Sequence, residues 1–306
     1  MKNFIVLFLM LFVFLISGCN VLPTAEDGKL SVVTTIFPLS DIVSRLGGDA
    51  VSVKSLIPSG TSPHLYEPLP SDIQTLNNAD LVVMVGAGFD DWIKEMMKNS
   101  GIDEAKIMDL SDFVSLQNFP GDSAQPQEGE IVIDADSEKV DPHYWVSPKR
   151  VLEFLDDLKD RLKEIDSDNS GVYEGRFDSY NNEITALDQE LNEKISGFGK
   201  KDIVLLHDAF GYLARDYGLN IVATIEPVTG GEPTVSDIEN VVAKIKELDI
   251  KVIFAEPEMS KKMAETIAED AQVVVADLDP LGGIEARLTY VSIVKYNLLQ
   301  LAKYLK

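Results

Sequence analysis

VYEGRFDSYNNEITALDQELNEKIS, residues 172–196, sets Tyr173, Phe177, Tyr180, Ile184, Leu187, Leu191 and Ile195 at steps of four and three. Those steps return to one side of a 3.6-residue turn, so the stretch predicts a long helix with a single apolar stripe. At 1.5 Å per residue it runs about 37 Å, enough to reach across two lobes. The same repeat also fits a coiled-coil dimer, but only three heptads are present and one end is aromatic rather than aliphatic.

Sequence on either side gives this helix something to join. Upstream, the β-branched runs Leu30 to Phe37, Val51 to Ile57 and Leu81 to Gly86 alternate with helix candidates at Leu39 to Leu46, Ser71 to Asn78 and Asp90 to Lys98. Downstream, the runs Asp202 to His207, Asn220 to Ile225, Ile250 to Glu256 and Gln272 to Asp277 alternate with helix candidates at Ala209 to Tyr217, Val235 to Leu248 and Ser260 to Asp270, and a last helix spans Leu288 to Leu305. Short apolar runs bounded by Pro, Gly or Ser read as buried strands, and strict alternation with helices implies βαβ units around parallel sheets. The expected fold class is therefore α/β, with two lobes of mostly parallel sheet joined by one long rigid helix. The lobes are placed at 30–147 and 199–306, with a helical linking segment at 148–198 that breaks near Asp166 to Gly171. Between Gln117 and Glu130, Pro120, Gly121, Pro126 and Gly129 mark a loop that contains no histidine.

The N-terminus, MKNFIVLFLMLFVFLISGCNV, has one basic residue, an apolar run from Phe4 to Ile16 and small residues before Cys19. This reads as a secretory signal over 1–18, excluded from the fold, with Cys19 as the lipid-modified first residue of the mature chain. About 13 apolar residues are few for a membrane span of about 20. Residues 19–29 then form a flexible leash. Cys19 is the only cysteine, so no intramolecular disulfide is possible. With 51 acidic against 27 basic residues the chain carries a net charge of −24. That field disfavours nucleic acid and anionic lipid headgroups as partners; it would concentrate cations, although solubility alone accounts for it.

Only three histidines occur: His64 in SGTSPHLYEP, His143 in VDPHYWVSP and His207 in IVLLHDAF. Each is placed in a turn or at the end of a strand. Three imidazoles with one carboxylate complete a four-coordinate site for zinc or a similar ion. Asp279 in ADLDPLGG is a carboxylate candidate, although its position before Pro280 equally fits a turn aspartate. His207 and Asp279 follow the carboxyl ends of expected strands, where ligands of open α/β sheets bind, and the four residues are divided between the lobes. Pro63 and Pro142 keep two of the histidines out of helix. Glu67, Glu226 and Glu256 stand near expected loops and are candidates to orient a histidine.

TTIFPLSDIVSRLGGD, PSGTSPHLYEPLPSD, DPHYWVSPKRV, HDAFGYLARDYGL, FAEPEMSKKMAETIAED and LDPLGG occur in that order. The chain resembles, over nearly all of its mature length, the zinc- and manganese-binding solute-binding lipoproteins of ABC transporters. The resemblance implies metal held between two α/β lobes and handed to a membrane permease, with His64, His143, His207 and Asp279 as the four ligands. It implies no enzymatic activity, a monomer, and a lipid-anchored place outside the cytoplasm. Two departures stand out: the acidic histidine-rich loop of zinc-specialised members is missing, and Ser147 occupies a position where aspartate is usual. Manganese-preferring members usually carry glutamate where His207 stands, and three nitrogens with one oxygen suit Zn2+ better than Mn2+.

Alternatives are a manganese or iron(II) carrier of the same family and, from another class, a secreted zinc hydrolase with three histidines and an open fourth position. Neither a helical HExxH pair nor a GxSxG elbow supports hydrolysis. Cell adhesion, a role attributed to some proteins of this type, has no motif behind it here.

Overall fold

The computed structural model describes residues 28–119, 140–226 and 233–306. Cys19, the signal and most of the Gln117 to Glu130 loop lie outside the described residues.

In the first lobe, β1 (Leu30–Thr34), β2 (Val51–Ser55), β3 (Leu81–Met84) and β4 (Ile107–Asp109) form a parallel sheet in the order β2-β1-β3-β4. Helices α1 (Phe37–Gly47), α2 (Pro70–Asn77) and α3 (Trp92–Asn99) connect its strands. Two of the strand ends that differ from expectation have a clear local reason. β1 stops at Thr34 because Phe37 opens α1 with Pro38 in its first turn, where the missing N–H costs nothing. β3 stops at Met84 because Gly86 adopts φ +75°, against the side chains of Asp109 and Ser111. The strand β4 was not anticipated, since three residues are too few to show a period.

A short antiparallel pair, β5 (Gln117–Asn118) with β6 (Val140–Asp141), precedes the second lobe. Gln117 and Asn118 are thus strand rather than loop, paired with residues beyond the segment 120–139. Helices α4 (Pro148–Ile165) and α5 (Ser170–Ser196) follow, separated by a 3-10 turn at Ser167–Asn169 where the sequence placed a break. Tyr173, Tyr180, Ile184, Leu187, Leu191 and Ile195 of α5 are buried and Phe177 is partly so, which bears out the apolar stripe. The stripe packs inside the chain's own core, together with Phe154, Leu155, Leu158 and Leu162 of α4.

The second lobe repeats the plan with β7 (Asp202–Leu205), β8 (Asn220–Thr224), β9 (Val252–Ala255) and β10 (Val274–Asp277), parallel and in the order β10-β9-β7-β8. Its helices are α6 (Gly211–Tyr217), α7 (Val235–Glu247), α8 (Lys262–Ala271) and α9 (Tyr290–Leu305). Gly218, at φ +73°, ends α6, and capping boxes at Thr234 with Asp237 and Thr289 with Ser292 start α7 and α9. β10 begins at Val274 because Gln272, at φ +59°, is still closing α8. Read from its first strand, each sheet has its second strand on one side and its third and fourth on the other. The two lobes share a topology that their sequences do not reveal.

One apolar cluster runs through both lobes and the long helices, from Leu30, Val32 and Leu81 through Tyr180 and Leu187 to Leu205, Phe254 and Leu301. Burying a leucine or isoleucine contributes about 1.5–3 kcal/mol, so the stripe of α5 fastens the lobes as a continuous core. Smaller clusters fill the outer faces around Val82 and Met97 and around Ile253 and Ile267.

Candidate metal centre

Parallel strands reverse direction of winding between β1 and β3 in one lobe and between β7 and β9 in the other, which are the crevices where such sheets take ligands. In the first lobe this point is sealed. Asp90 accepts hydrogen bonds from the Thr35 hydroxyl and, at 2.7 Å each, from the backbone N–H groups of Val85 and Gly86. In the second lobe the same point carries His207, just past β7, and Glu256, just past β9. Glu256 Oε1 lies 2.5 Å from His207 Nδ1.

His143 follows β6 directly, and Asp141 holds it twice: Oδ1 accepts its backbone N–H at 2.9 Å and contacts its Nδ1 at 2.8 Å. Both buried histidines therefore have a carboxylate on Nδ1, which fixes the ring and directs Nε2 to a metal. His64 comes from the 3-10 turn Pro63–Leu65 after β2. The three imidazoles converge: His64 and His143 Nε2 are 3.4 Å apart, and ring centroids are separated by 5.5 Å (His64 to His143), 5.0 Å (His64 to His207) and 5.2 Å (His143 to His207). One nitrogen from each lies within 4.8 Å of the other two. Phe89 and Trp145 wall the first-lobe side, their rings 5.5 Å from His64 and 5.4 Å from His143.

Asp279 is not part of that group. It is 1% exposed, and its Oδ1 accepts from the N–H groups of Leu281 (2.9 Å) and Gly282 (2.8 Å), the role of a turn aspartate. Its Oδ2 stands 3.1 Å from Arg287 Nε without hydrogen-bond geometry. Asn297 pins the backbone on both sides, accepting from Asp279 N–H and donating to its carbonyl. The loop is also tied to the other lobe. Trp145 Nε1 donates to the Pro280 carbonyl at 2.8 Å, and the Tyr290 hydroxyl donates to the Trp145 carbonyl at 2.9 Å.

Among the described residues, the buried side-chain polar atoms with no hydrogen-bond partner are Tyr180 Oη, His207 Nε2, Asp141 Oδ2, Asp208 Oδ1, Glu258 Oε1 and Asp279 Oδ2. All but the first surround the histidines or interact with His207 or Glu258. Buried polar atoms are ordinarily satisfied, and an imidazole nitrogen beside carboxylate oxygens is a donor set suited to a divalent cation. The electrostatics differ by lobe. Burial, with repulsion from the other histidines, pushes His143 and His64 down to about 3. His64 presents surface to solvent while its ring is packed among three others. Burial opposes charge on His207 too, but Glu256, with Asp208 and Asp141, outweighs it and pushes His207 up to about 9.

Glu256 does orient a histidine, as one of three candidates for that role. Glu67 is exposed, and Glu226 donates its backbone N–H to Leu206 at the end of β7. Asp141 was missed, although its place two residues before a histidine was the signal for it. Asn297 was missed as well, and nothing local in the last helix marks it. Ser147 donates to Asp216 at 2.7 Å, away from the histidines.

Two α/β lobes of one topology, joined by rigid helices, with imidazoles from both meeting where the lobes face each other, define a two-lobed binding protein for a metal ion. The chain belongs to the family described as ZnuA, zinc-uptake complex component A, periplasmic, which it matches over residues 32–304. It is 29% identical to the manganese-binding lipoprotein MntA of Halalkalibacterium halodurans, over 94% of each chain, and 29% identical to the high-affinity zinc uptake system protein ZnuA of Bacillus subtilis, covering 90% of this chain and 87% of that one. It is 28% identical to the zinc-binding lipoprotein AdcA of Streptococcus pneumoniae, of which it spans only 55%. A crystal structure of ZnuA superimposes with a TM-score of 0.79 at 27% identity, covering 91% of this chain and all of that one. A mutant structure of the laminin-binding adhesin Lmb of Streptococcus agalactiae gives 0.77 at 25%.

Proposed function

We propose that this protein binds one divalent metal ion outside the cytoplasm, zinc in preference to manganese, and delivers it to the permease of an ABC transporter. The observation that carries this reading is the meeting of His64, His143 and His207 from separate lobes, with two of their Nδ1 atoms fixed by buried carboxylates. These three are the nitrogen ligands. Asp279 is the fourth, exchanging its contact with Arg287 for the cation. Family membership supports transport, and the relatives named for zinc and for manganese support both cations as cargo. Three nitrogens and one oxygen favour zinc. With four ligands in place no metal-bound water remains to activate, so the protein is a carrier rather than a hydrolase.

Residues 1–18 act as a signal peptide, Cys19 carries the lipid, and residues 19–29 link the anchor to a monomeric body. Relatives named as lipoproteins support this, and among the described residues no helix is long and apolar enough to cross a membrane. The test is zinc titration of the mature domain alongside His64→Ala, His143→Ala and His207→Ala. Stoichiometric binding by the parent, weakened strongly in each variant, is expected. Undiminished binding in all three would overturn the site.

A further inference from the structure

We propose that Tyr212 is a positioning residue of the metal centre, its hydroxyl fixing the main chain that leads into His143 to the helix that follows His207. The inference rests on the function proposed above. Its basis is a hydrogen-bonded bridge between the lobes. Tyr212, fully buried in α6, donates its hydroxyl proton to the Asp141 carbonyl at 2.9 Å and accepts the Gln117 N–H at 2.8 Å. Gln117 and Asp141 are register partners of β5 and β6, so one hydroxyl ties both strands of that ribbon to the second lobe. Asp141 in turn holds His143 through its side chain.

Other residues of α6 extend the grip. Arg215 donates to Gln117 Oε1 at 2.8 Å and to the Asn118 carbonyl. Asp216 accepts from the Ser147 hydroxyl at 2.7 Å and from Arg150 Nε and Nη2 at 2.9 and 2.6 Å. The stretch from Asp141 to Ser147, with His143 inside it, is therefore held at both ends by one helix of the second lobe. That helix opens at Gly211, shortly after His207. The Tyr212 ring is itself confined, edge-on to Tyr144 at 6.4 Å between centroids and under the Arg150 guanidinium at 5.7 Å.

The consequence is preorganisation. His143 and His207 come from segments of different lobes, yet α6 keeps them as a pair with ring centroids 5.2 Å apart. Ligands set in place before the ion arrives lose less freedom on binding it, which raises affinity. Removing the hydroxyl takes a partner from a backbone N–H and from a buried carbonyl at once, and loosens the ribbon that carries His143.

The test is zinc affinity of Tyr212→Phe, measured by competition with a chromogenic chelator, with the visible absorption of bound Co2+ as a reading of ligand geometry. Losing an outer partner of a ligating histidine costs about 10- to 100-fold in affinity, and Tyr212 acts through Asp141, so a loss of about tenfold is expected, with shifted cobalt bands. Tyr217→Phe is the control for stability alone. It removes a hydroxyl of the same helix that donates to Asp188 Oδ1 on α5 at 2.7 Å, so it should lower the melting temperature of the apo protein and leave zinc affinity and the cobalt spectrum at parental values. Parental affinity and spectrum in Tyr212→Phe, or a loss that Tyr217→Phe reproduces, would overturn the role of Tyr212 while leaving the carrier intact. Should Tyr212→Phe not fold, Arg215→Gln, at an exposed position, frees β5 from the same helix: weakened zinc binding there supports the role, and parental binding overturns it. A parent protein that bound neither zinc nor cobalt would overturn the carrier itself.

Discussion

His143 Nε2 and His64 Nε2 stand 3.4 Å apart across 79 positions of sequence. Two imidazoles meet this closely only if at most one is protonated, and burial, with repulsion from His143 and His207 at His64 and from His207 at His143, holds both down at about 3. They are ready as ligands at neutral pH. His207, held up at about 9 beside Glu256, must lose a proton before its nitrogen can accept a metal.

Zinc binding near pH 7 should therefore release at least one proton. The folded apo protein keeps His207 charged below about 9, so affinity should climb as pH rises from 7 to 9 and proton competition eases. Calorimetry in two buffers of different ionisation enthalpy reads this release directly. Equal apparent enthalpies in both buffers would contradict it.

Glu256→Ala removes the carboxylate that holds His207 Nδ1. Loss of such a partner costs about 10- to 100-fold in metal affinity. The histidine should also fall toward its ordinary range, flattening the rise in affinity between pH 7 and 9. A variant with parental affinity and an unchanged pH profile would show that Glu256 does not act through His207.

His207→Glu should exchange a nitrogen donor for an oxygen donor and shift preference toward manganese. Competition titration of the two ions measures the shift. A constant zinc-to-manganese ratio would remove His207 from the ligand set.

Asp90 gives a stability prediction away from the histidines. Burial pushes its carboxyl up to about 6, against the hydrogen bonds from Thr35, Gly86 and Val85. In the unfolded chain it titrates near 3.9, so the native state binds the proton more tightly and gains stability as pH falls from about 6 towards 4. Asp90→Asn does not titrate. The stability of the parent relative to this variant should rise by on the order of 2 kcal/mol between pH 7 and pH 4, measured by urea unfolding of the apo proteins. A relative fall over that range would reverse the assignment.

What could be read from sequence followed from periodicity. The stripe on α5 was visible because seven apolar residues repeat within one helix, and the strands because β-branched runs end at Gly, Pro or Ser. Histidine scarcity made His64, His143 and His207 stand out as a set. Pairings across long separations carry no such local mark. Gln117 and Asn118 pair with Val140 and Asp141, His207 meets Glu256 49 positions away, and Asn297 grips Asp279 from the last helix. Each is decided by packing between distant segments of one lobe rather than by neighbouring residues. The shared strand order of the lobes stayed hidden for a similar reason, since topology lies in the connections rather than in residue identity.

The most direct test of the account is the metal retained by the mature domain after equilibration with equimolar zinc and manganese and removal of free ions. Elemental analysis should find close to one zinc per chain and little manganese, with the apo protein melting at a lower temperature than the loaded one. Manganese retained in preference to zinc, or no bound metal at all, would contradict it.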